Sequence, residues 1–221
     1  METWAALFER AAALDADEAA VRSALGRRRA ERTDDGDDEA TPGADDGDGD
    51  EAARGVDGDA AAPDDPADPS PGRVVADADA LAADLLAGGH AREALDALRR
   101  HSWTALVASD ALLDDAEAVI ATLADADLAA DWRERVEAWR ERVAQPPGDH
   151  PALASAYRGG AMHVLSLDDR LTAAGTVAGL NERFPVSVRE PRAFAALFDA
   201  ASLYPEVEGG EYPGPDRDPR E

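Results

Sequence analysis

Short apolar runs alternate with helical patterns over residues 72–204, and this alternation predicts an α/β domain. Strands are predicted at Val74–Ala76, Thr104–Ser109 and Met162–Ser166, and a fourth at Val186–Val188. Short strands joined by helices are typical of a parallel sheet that is covered on both faces. We therefore expect a three-layer fold with a short parallel sheet flanked by helices.

Apolar residues at spacings of three and four predict the helices of this domain. The predicted helices span residues 79–87, 91–100, 110–123, 152–158 and 191–203, and another begins near Asp169. One long helix is predicted from a single apolar stripe that comprises Leu128, Trp132, Val136, Trp139 and Val143.

Three other segments differ from this domain in composition. Residues 1–32 have two helical patterns and predict a helical hairpin, in which six acids are balanced by six arginines. Residues 33–71 contain fifteen acids and one arginine, and they cannot bury enough apolar surface to fold alone. They predict a disordered acidic linker, and the Gly- and Pro-rich residues 205–221 predict a flexible tail.

Charge and composition restrict the setting of the protein. Forty-eight acids against twenty-two bases give a net charge of −26, and no lysine is present. This composition resembles that of proteins from halophilic archaea. In molar salt the Debye length falls to about 3 Å, so the charge does not exclude RNA as a partner. The chain has no cysteine and no apolar run near the ~20 residues of a membrane span, so we expect a soluble cytoplasmic protein with no membrane partner.

Aspartates lie where a parallel sheet collects functional groups, after its strands or at the start of the next helices. Asp77 follows the first strand, and Asp115 lies on the helix after the second. Asp149 precedes a helix, and Asp168 follows the strand that ends at Ser166. Such a cluster of carboxylates favours a hard cation, Mg²⁺ or Mn²⁺, which can activate water for attack on a phosphodiester.

The order of several motifs resembles that of the PIN-domain ribonucleases over residues 73–198. "VVADADAL" is similar to the first motif of that family, "VASDALLDDA" to the second, and "GDHPALASAYRGGAMHVLSLDDRL" to the third and fourth. "VSVREPRAFAAL" is similar to the closing strand and helix. The resemblance implies a PIN-like endoribonuclease that cleaves RNA, expected to be single-stranded. It also implies that Mg²⁺ or Mn²⁺ is bound by a catalytic set of Asp77, Asp115, Asp149 and Asp168.

The same resemblance implies supporting roles for Asp79 and Ser166, which would orient the metal ligands. Asp79 stands where the family usually has asparagine, Ser166 where threonine is commoner, and Ala78 where a small hydroxyl residue is usual. The changes at Ala78 and Asp79 weaken the expected support of the ligands.

Each acid also has a simpler interpretation. Asp79 and Asp149 are natural helix caps. Asp115 lies in an acid-rich helix and could belong to a solvated face. Either Asp168 or its neighbour Asp169 could be the site residue, and only the Ser-x-Asp pattern favours Asp168.

One dense basic run, "GRRRAER" at Gly26–Arg32, lies at the end of the second N-terminal helix. Arginines are favoured there by the helix dipole. Alternatively, Arg27, Arg28 and Arg29 contact RNA phosphates. His150, beside Asp149, could reach the edge of the site, but we interpret it as an exposed turn residue.

Two other functions stay open. "VVADADAL" also resembles the first motif of haloacid dehalogenase-type phosphatases, in which Asp77 would be a nucleophile and Asp79 a general acid–base. The absence of lysine argues against this alternative. The other is a non-catalytic module that binds RNA or protein, with residues 1–32 as the element that contacts a protein partner. A homodimer is a further expectation.

Overall fold

A five-stranded parallel sheet forms the centre of the computed structural model, which describes residues 1–37, 66–146, 149–173 and 185–221. Its strands are β1 (Ser70–Ala76), β2 (Ala105–Ser109), β3 (Arg140–Val143), β4 (Ala161–Leu165) and β5 (Ser187–Arg189). Their spatial order is β3-β2-β1-β4-β5, and every neighbouring pair is parallel. The predicted α/β class with a parallel sheet is confirmed.

Helices connect these strands and flank the sheet. They are α1 (Trp4–Ala11), α2 (Glu18–Asp37), α3 (Ala78–Leu86), α4 (Gly89–Arg99), α5 (Asp110–Leu123), α6 (Ala126–Glu137), α7 (Pro151–Gly159), α8 (Asp169–Thr172), α9 (Pro191–Leu197) and α10 (Ala200–Val207). Within the described ranges, no helix has the length and apolar character needed to cross a bilayer.

Local chemistry explains where several of these helices begin and end. Ser109 Oγ accepts a hydrogen bond from the backbone N–H of Leu112 at 3.3 Å, which caps the start of α5. Helix α7 ends at Gly160, whose φ of 62° lies in the left-handed region that favours glycine. A Cβ atom at Gly160 would lie 2.3 Å from the carbonyl oxygen of Asp68, so a side chain there would also clash.

The long helix predicted to extend to Val143 is wrong. Helix α6 ends at Glu137, and residues Arg140–Val143 form edge strand β3 beside β2. Trp139 and Val143 continue the helical spacing of the stripe, but their separation also suits one face of a strand. Arg140 helps to hold this edge, because it donates to the carbonyl oxygen of Ala108 at 2.8 Å.

The N-terminal helices pack directly on the α/β domain. Trp4 on α1 is 3% exposed and lies 5.8 Å from Trp139, measured between ring centroids. The guanidinium carbon of Arg99 on α4 lies 3.9 Å above the Trp4 ring. Helix α2 contacts α3 and α5, so these two helices form part of the same packed structure.

Several segment boundaries differ from the sequence predictions. Helix α2 continues five residues past Arg32, to Asp37, and β1 begins at Ser70. The remaining part of the predicted linker, apart from residues 66–69, lies outside the described residues. The predicted helix 191–203 is two helices, because Asp199 starts α10 by accepting from the backbone N–H of Ala201 at 3.1 Å.

The C-terminal residues that predict a flexible tail make specific contacts with the domain. Helix α10 extends through Pro205 to Val207. Tyr212 Oη lies 2.7 Å from His101 Nε2, and Asp216 Oδ1 accepts from the backbone N–H of Ser102 at 2.8 Å. These partners are far away in sequence, so composition alone does not reveal them.

Candidate functional site

The carboxyl ends of β1 and β4 lie side by side at the point where the strand order reverses. Strands β2 and β3 extend the sheet on one side of β1, and β4 and β5 extend it on the other. Open parallel sheets bind ligands at such a point. The backbone N–H of Asp77 donates to the carbonyl oxygen of Leu165 at 2.8 Å. The residues that follow these two strands are therefore brought together.

Ser166 connects three of the predicted site residues. Its Oγ lies 3.2 Å from Asp77 Oδ2 and 3.4 Å from Asp79 Oδ2, and it accepts from the backbone N–H of Asp168 at 3.0 Å. A hydroxyl has one proton, so Ser166 donates to one carboxylate at a time. The structure thus places Asp77, Asp79 and Asp168 at one edge of the sheet.

Asp79 is buried in the first turn of α3 and does not cap that helix. The N-cap is Asp77, whose Oδ1 accepts from the backbone N–H of Ala78 at 2.8 Å. Asp79 Oδ2 accepts from the backbone N–H of Leu167 at 3.1 Å, whereas Oδ1 has no hydrogen-bond partner among the described residues. Burial, and then the negative charge of Asp77, raise the pKa of Asp79 to about 8. At neutral pH Asp79 is therefore mostly protonated.

Asp115 lies on α5 and faces α2. Its side chain is 0% exposed, so it does not belong to a solvated helix face. Arg28 Nε donates to Asp115 Oδ1 at 3.0 Å. Arg32 Nη1 and Nη2 donate to Oδ1 and Oδ2 at 2.7 and 3.0 Å. This two-point contact is a strong form of the guanidinium–carboxylate interaction.

Arg29 links Asp115 to Asp77. Its Nη2 lies 2.8 Å from Asp77 Oδ1, and its Nε lies 3.9 Å from Asp115 Oδ2. Burial lowers the pKa of Arg29, but the charges of Asp77, Asp79 and Asp115 outweigh this effect, and the pKa is raised. One guanidinium therefore lies between two buried carboxylates. We call Arg28, Arg29 and Arg32 the arginine clamp.

The arginine clamp differs from the predicted RNA-contact set of Arg27, Arg28 and Arg29. Arg28, Arg29 and Arg32 share one side of α2 because of the helical period, and the structure turns this side toward the acids. Arg27 lies on an exposed side, where its Nη1 donates to Ser23 Oγ at 2.8 Å. Sequence analysis missed Arg32, although its spacing from Arg28 and Arg29 indicates a shared face.

Asp168 lies at the rim of the site, in a pocket of about 490 Å³ between α2 and the turn after β4. The pocket is also lined by Arg22, Arg29 and Asp79. Asp168 Oδ2 lies 2.8 Å from Arg170 Nη2, and this hydrogen bond is the main cause that lowers the pKa of Asp168. Its neighbour Asp169 is the first residue of α8.

His150 is the residue near Asp149 that faces the buried acids. Pro151 occupies the first position of α7 and His150 its N-cap, whereas Asp149 precedes the cap and is exposed. Burial lowers the pKa of His150, which also senses the charges of Asp77, Arg29, Asp168 and Asp115. Its Nδ1 is buried without a hydrogen-bond partner in the described part of the chain. The interpretation of His150 as an exposed turn residue is wrong; the metal role of Asp149 stays a prediction.

Residues 68–220 match a family described as "Family of unknown function (DUF7384)". The chain belongs to this family. The DUF7384 match contains the whole sheet and every acid of the site, whereas α1 and α2, with the arginine clamp, lie outside it. No curated protein and no solved structure matches the chain.

The acids of the DUF7384 region have the chemistry of a hard-cation site. Asp77 and Asp115 are buried carboxylates joined by a cationic group, and Asp79 Oδ1 lacks a partner among the described residues. Oxygen donors of this kind fit Mg²⁺ or Mn²⁺. In the present arrangement, no three Asp, Glu or His side chains of the described residues are close enough together to hold a metal ion. The cationic group between these carboxylates is the guanidinium of Arg29.

Proposed function

We propose that the protein is a metal-dependent, PIN-like endoribonuclease that hydrolyses single-stranded RNA. One observation carries the proposal. Asp77 is fully buried beside Ser166 and close to Asp168 at the carboxyl edge of a parallel sheet, where its strand order reverses, and Arg29 connects it to a second fully buried carboxylate, Asp115. Buried charges of one sign are retained where a cation compensates them.

Two features support the resemblance to PIN domains on which the proposal also rests. The parallel sheet flanked by helices agrees with the coarse architecture that the resemblance implies. Asp79, which replaces the usual asparagine, has a pKa of about 8. A protonated carboxyl group offers one donor and one acceptor, as an amide does, so Asp79 can replace asparagine at neutral pH.

In this proposal Asp77, Asp115 and Asp168 hold Mg²⁺ or Mn²⁺, and Asp149 completes the set. When bound there, the cation would lower the pKa of a water and offset the negative charge that develops on the phosphate. During hydrolysis the water oxygen bonds to phosphorus, one ribose P–O bond breaks, and the leaving oxygen takes up a proton. Ser166 orients Asp77, and neutral His150 has a buried Nδ1, without a hydrogen-bond partner among the described residues, that donates or accepts a hydrogen bond according to its tautomer.

A cleavage assay tests the proposal directly. End-labelled single-stranded RNA is incubated with the full chain and Mn²⁺, in molar KCl because the net charge of −26 suits high salt. We expect Asp77→Asn and Asp115→Asn to lower the cleavage rate at least about 100-fold. Asp114→Asn is the matched control, because Asp114 is an exposed neighbour that pairs with Arg133. Equal rates for wild type and Asp77→Asn would exclude the nuclease.

The arginine clamp favours one second candidate, a non-catalytic module that binds RNA or protein. Arginines of the chain itself neutralise the charges of Asp77 and Asp115. In this candidate these ion pairs are permanent, and the site binds no metal ion. This candidate predicts retention of a labelled RNA on a filter, but no cleavage with Mg²⁺ or Mn²⁺ by the wild type or by variants that lack the clamp.

A further inference from the structure

We propose that the arginine clamp closes the acidic site in cis, so that a divalent cation binds only when the end of α2 releases Asp77 and Asp115. The inference rests on the proposed function, in which these two acids bind metal. It adds a regulatory state to that function: the site alternates between an arginine-bound form and a cation-bound form.

The clamp occupies the oxygens that a cation would use. Asp77 Oδ1 accepts from Arg29, and both oxygens of Asp115 accept from Arg32. Asp77 Oδ2 is shared with the hydroxyl of Ser166. A metal ion that coordinates these carboxylates therefore competes with the guanidinium groups for the same oxygens.

The positive charge of the clamp also opposes the binding of a metal ion. Three guanidinium groups, those of Arg28, Arg29 and Arg32, surround the two buried carboxylates. A divalent cation that approaches the closed site is repelled by these arginines, which already compensate the charges of the acids. Arginine and metal ion should consequently exclude each other.

The end of α2 is attached in a way that permits release. Its first half is anchored by Val21, Ala24 and Leu25, which are 0–5% exposed. From Gly26 to Arg32 no residue is buried to this degree: the side chains of Arg28 and Arg32 are 40% and 50% exposed, and that of Arg29, the most enclosed of the clamp, is 16% exposed. The described contacts of Arg28, Arg29 and Arg32 with Asp77 and Asp115 are therefore charged contacts near solvent, and not core packing like that of Val21 and Leu25.

Release of the arginines from Asp77 and Asp115 would be unfavourable unless another cation replaced them. The site is therefore expected to exchange one cationic partner for another, and not to stand open without one. Asp77 and Asp115 are fully buried, and a buried carboxylate that loses its cationic partner is strongly destabilised. The arginines leave only when another cation takes their place. Mn²⁺ should therefore move the end of α2, and removal of the clamp should strengthen Mn²⁺ binding.

Calorimetric titration of the full chain with Mn²⁺ tests this inference. The clamp variant Arg28→Gln/Arg29→Gln/Arg32→Gln is compared with wild type and with the control Arg27→Gln, which changes an exposed arginine on another side of α2. We expect the clamp variant to bind Mn²⁺ at least about tenfold more tightly and the control to match wild type. Equal affinity in all three proteins would overturn the inference and leave the metal-dependent function intact. No binding by a folded clamp variant would overturn both.

Hydrogen exchange of the wild-type chain gives a second readout that does not depend on any variant. Saturating Mn²⁺ should speed the exchange of backbone amides in residues 28–37, with little change in residues 20–25. Unchanged exchange at residues 28–37, in a wild type that calorimetry shows to be loaded with Mn²⁺, would contradict the inference even if the clamp variant does not fold.

Discussion

Arg32 binds both carboxylate oxygens of Asp115, with Nη1 2.7 Å from Oδ1 and Nη2 3.0 Å from Oδ2. The two residues are 83 positions apart, on α2 and α5. Asp115 is fully buried and Arg32 is half exposed, so the contact brings a cation from the surface to an acid in the interior. Asp115 therefore depends on α2 for its compensation in the closed site.

A double-mutant cycle should measure this dependence. Arg28→Gln/Arg32→Gln leaves Asp115 with Arg29 at 3.9 Å. We expect the free energy of unfolding to fall by about 1–3 kcal/mol, an estimate reduced because both arginines are partly exposed. Asp115→Asn in the same background should restore part of this loss, because no buried charge is left unpaired. Urea unfolding followed by circular dichroism gives the coupling; purely additive losses would contradict it.

Asp79 should make stability depend on pH. Its pKa of about 8 in the folded protein lies above the ordinary value of 3.8. Between about pH 4 and 8, Asp79 therefore keeps its proton in the folded state and has lost it in the unfolded state. The free energy of unfolding falls as the pH rises through this window. Asp79→Asn removes the titrating group, so we expect it to stabilise the protein by more than about 1 kcal/mol at pH 8.

The comparison of Asp79→Asn with wild type at pH 4.5 and pH 8 checks this sign. The advantage of the variant in urea unfolding should be small at the lower pH and large at the higher one. Asp169→Asn, at the exposed first residue of α8, is the control and should show no such trend. An advantage that is the same at both pH values would mean that Asp79 is not protonated in the folded state.

Trp4 should be the main anchor of the N-terminal helices. It is 3% exposed and packs against both the ring of Trp139 and the guanidinium of Arg99. Trp4→Ala removes this packing, and we expect the free energy of unfolding to fall by about 3–5 kcal/mol. Thermal unfolding measures the loss, with exposed Tyr157→Ala as the control. A loss below about 1 kcal/mol would show that α1 contributes little to the stability of the domain.

The sequence predicts the sheet well because its local signals agree with one another. The apolar runs of β1, β2 and β4 are short and are bounded by helix starts such as Ser109, so strand and cap signals coincide. The sequence-based prediction fails at β3, because the spacing of Trp139 and Val143 suits both a helix and one face of a strand. Only the pairing of Arg140–Val143 with β2, a long-range contact, decides between them.

The candidate site was predictable as a set of acids, but its compensation by arginine was not. Asp77, Ser166 and Asp168 follow strands, and a parallel topology places such residues at one edge. The clamp depends on how α2 packs against α3 and α5, and no local pattern encodes that packing. His150 was named as a residue that could reach the site, but the exposed turn was preferred because a histidine before a proline has the local pattern of a turn.

His150 should report the state of the clamp. Burial lowers its pKa, and the positive charge of Arg29 lowers it further, whereas Asp77, Asp168 and Asp115 act in the opposite direction. Arg29→Gln removes one of the lowering causes, so we expect the pKa of His150 to rise in the variant. A pH titration of the histidine ring protons by NMR measures this change.

His163 serves as the internal control for this titration, because burial and then Arg189 lower its pKa, and Arg29 is not among the causes. Its titration should be the same in wild type and Arg29→Gln. If both histidines shift together, the variant has altered the fold; if neither shifts, Arg29 does not act on His150. A change in pKa that is confined to His150 would show that the charge of Arg29 acts on its imidazole. Protonation of His150 at low pH would then oppose Arg29 and weaken its hold on Asp77.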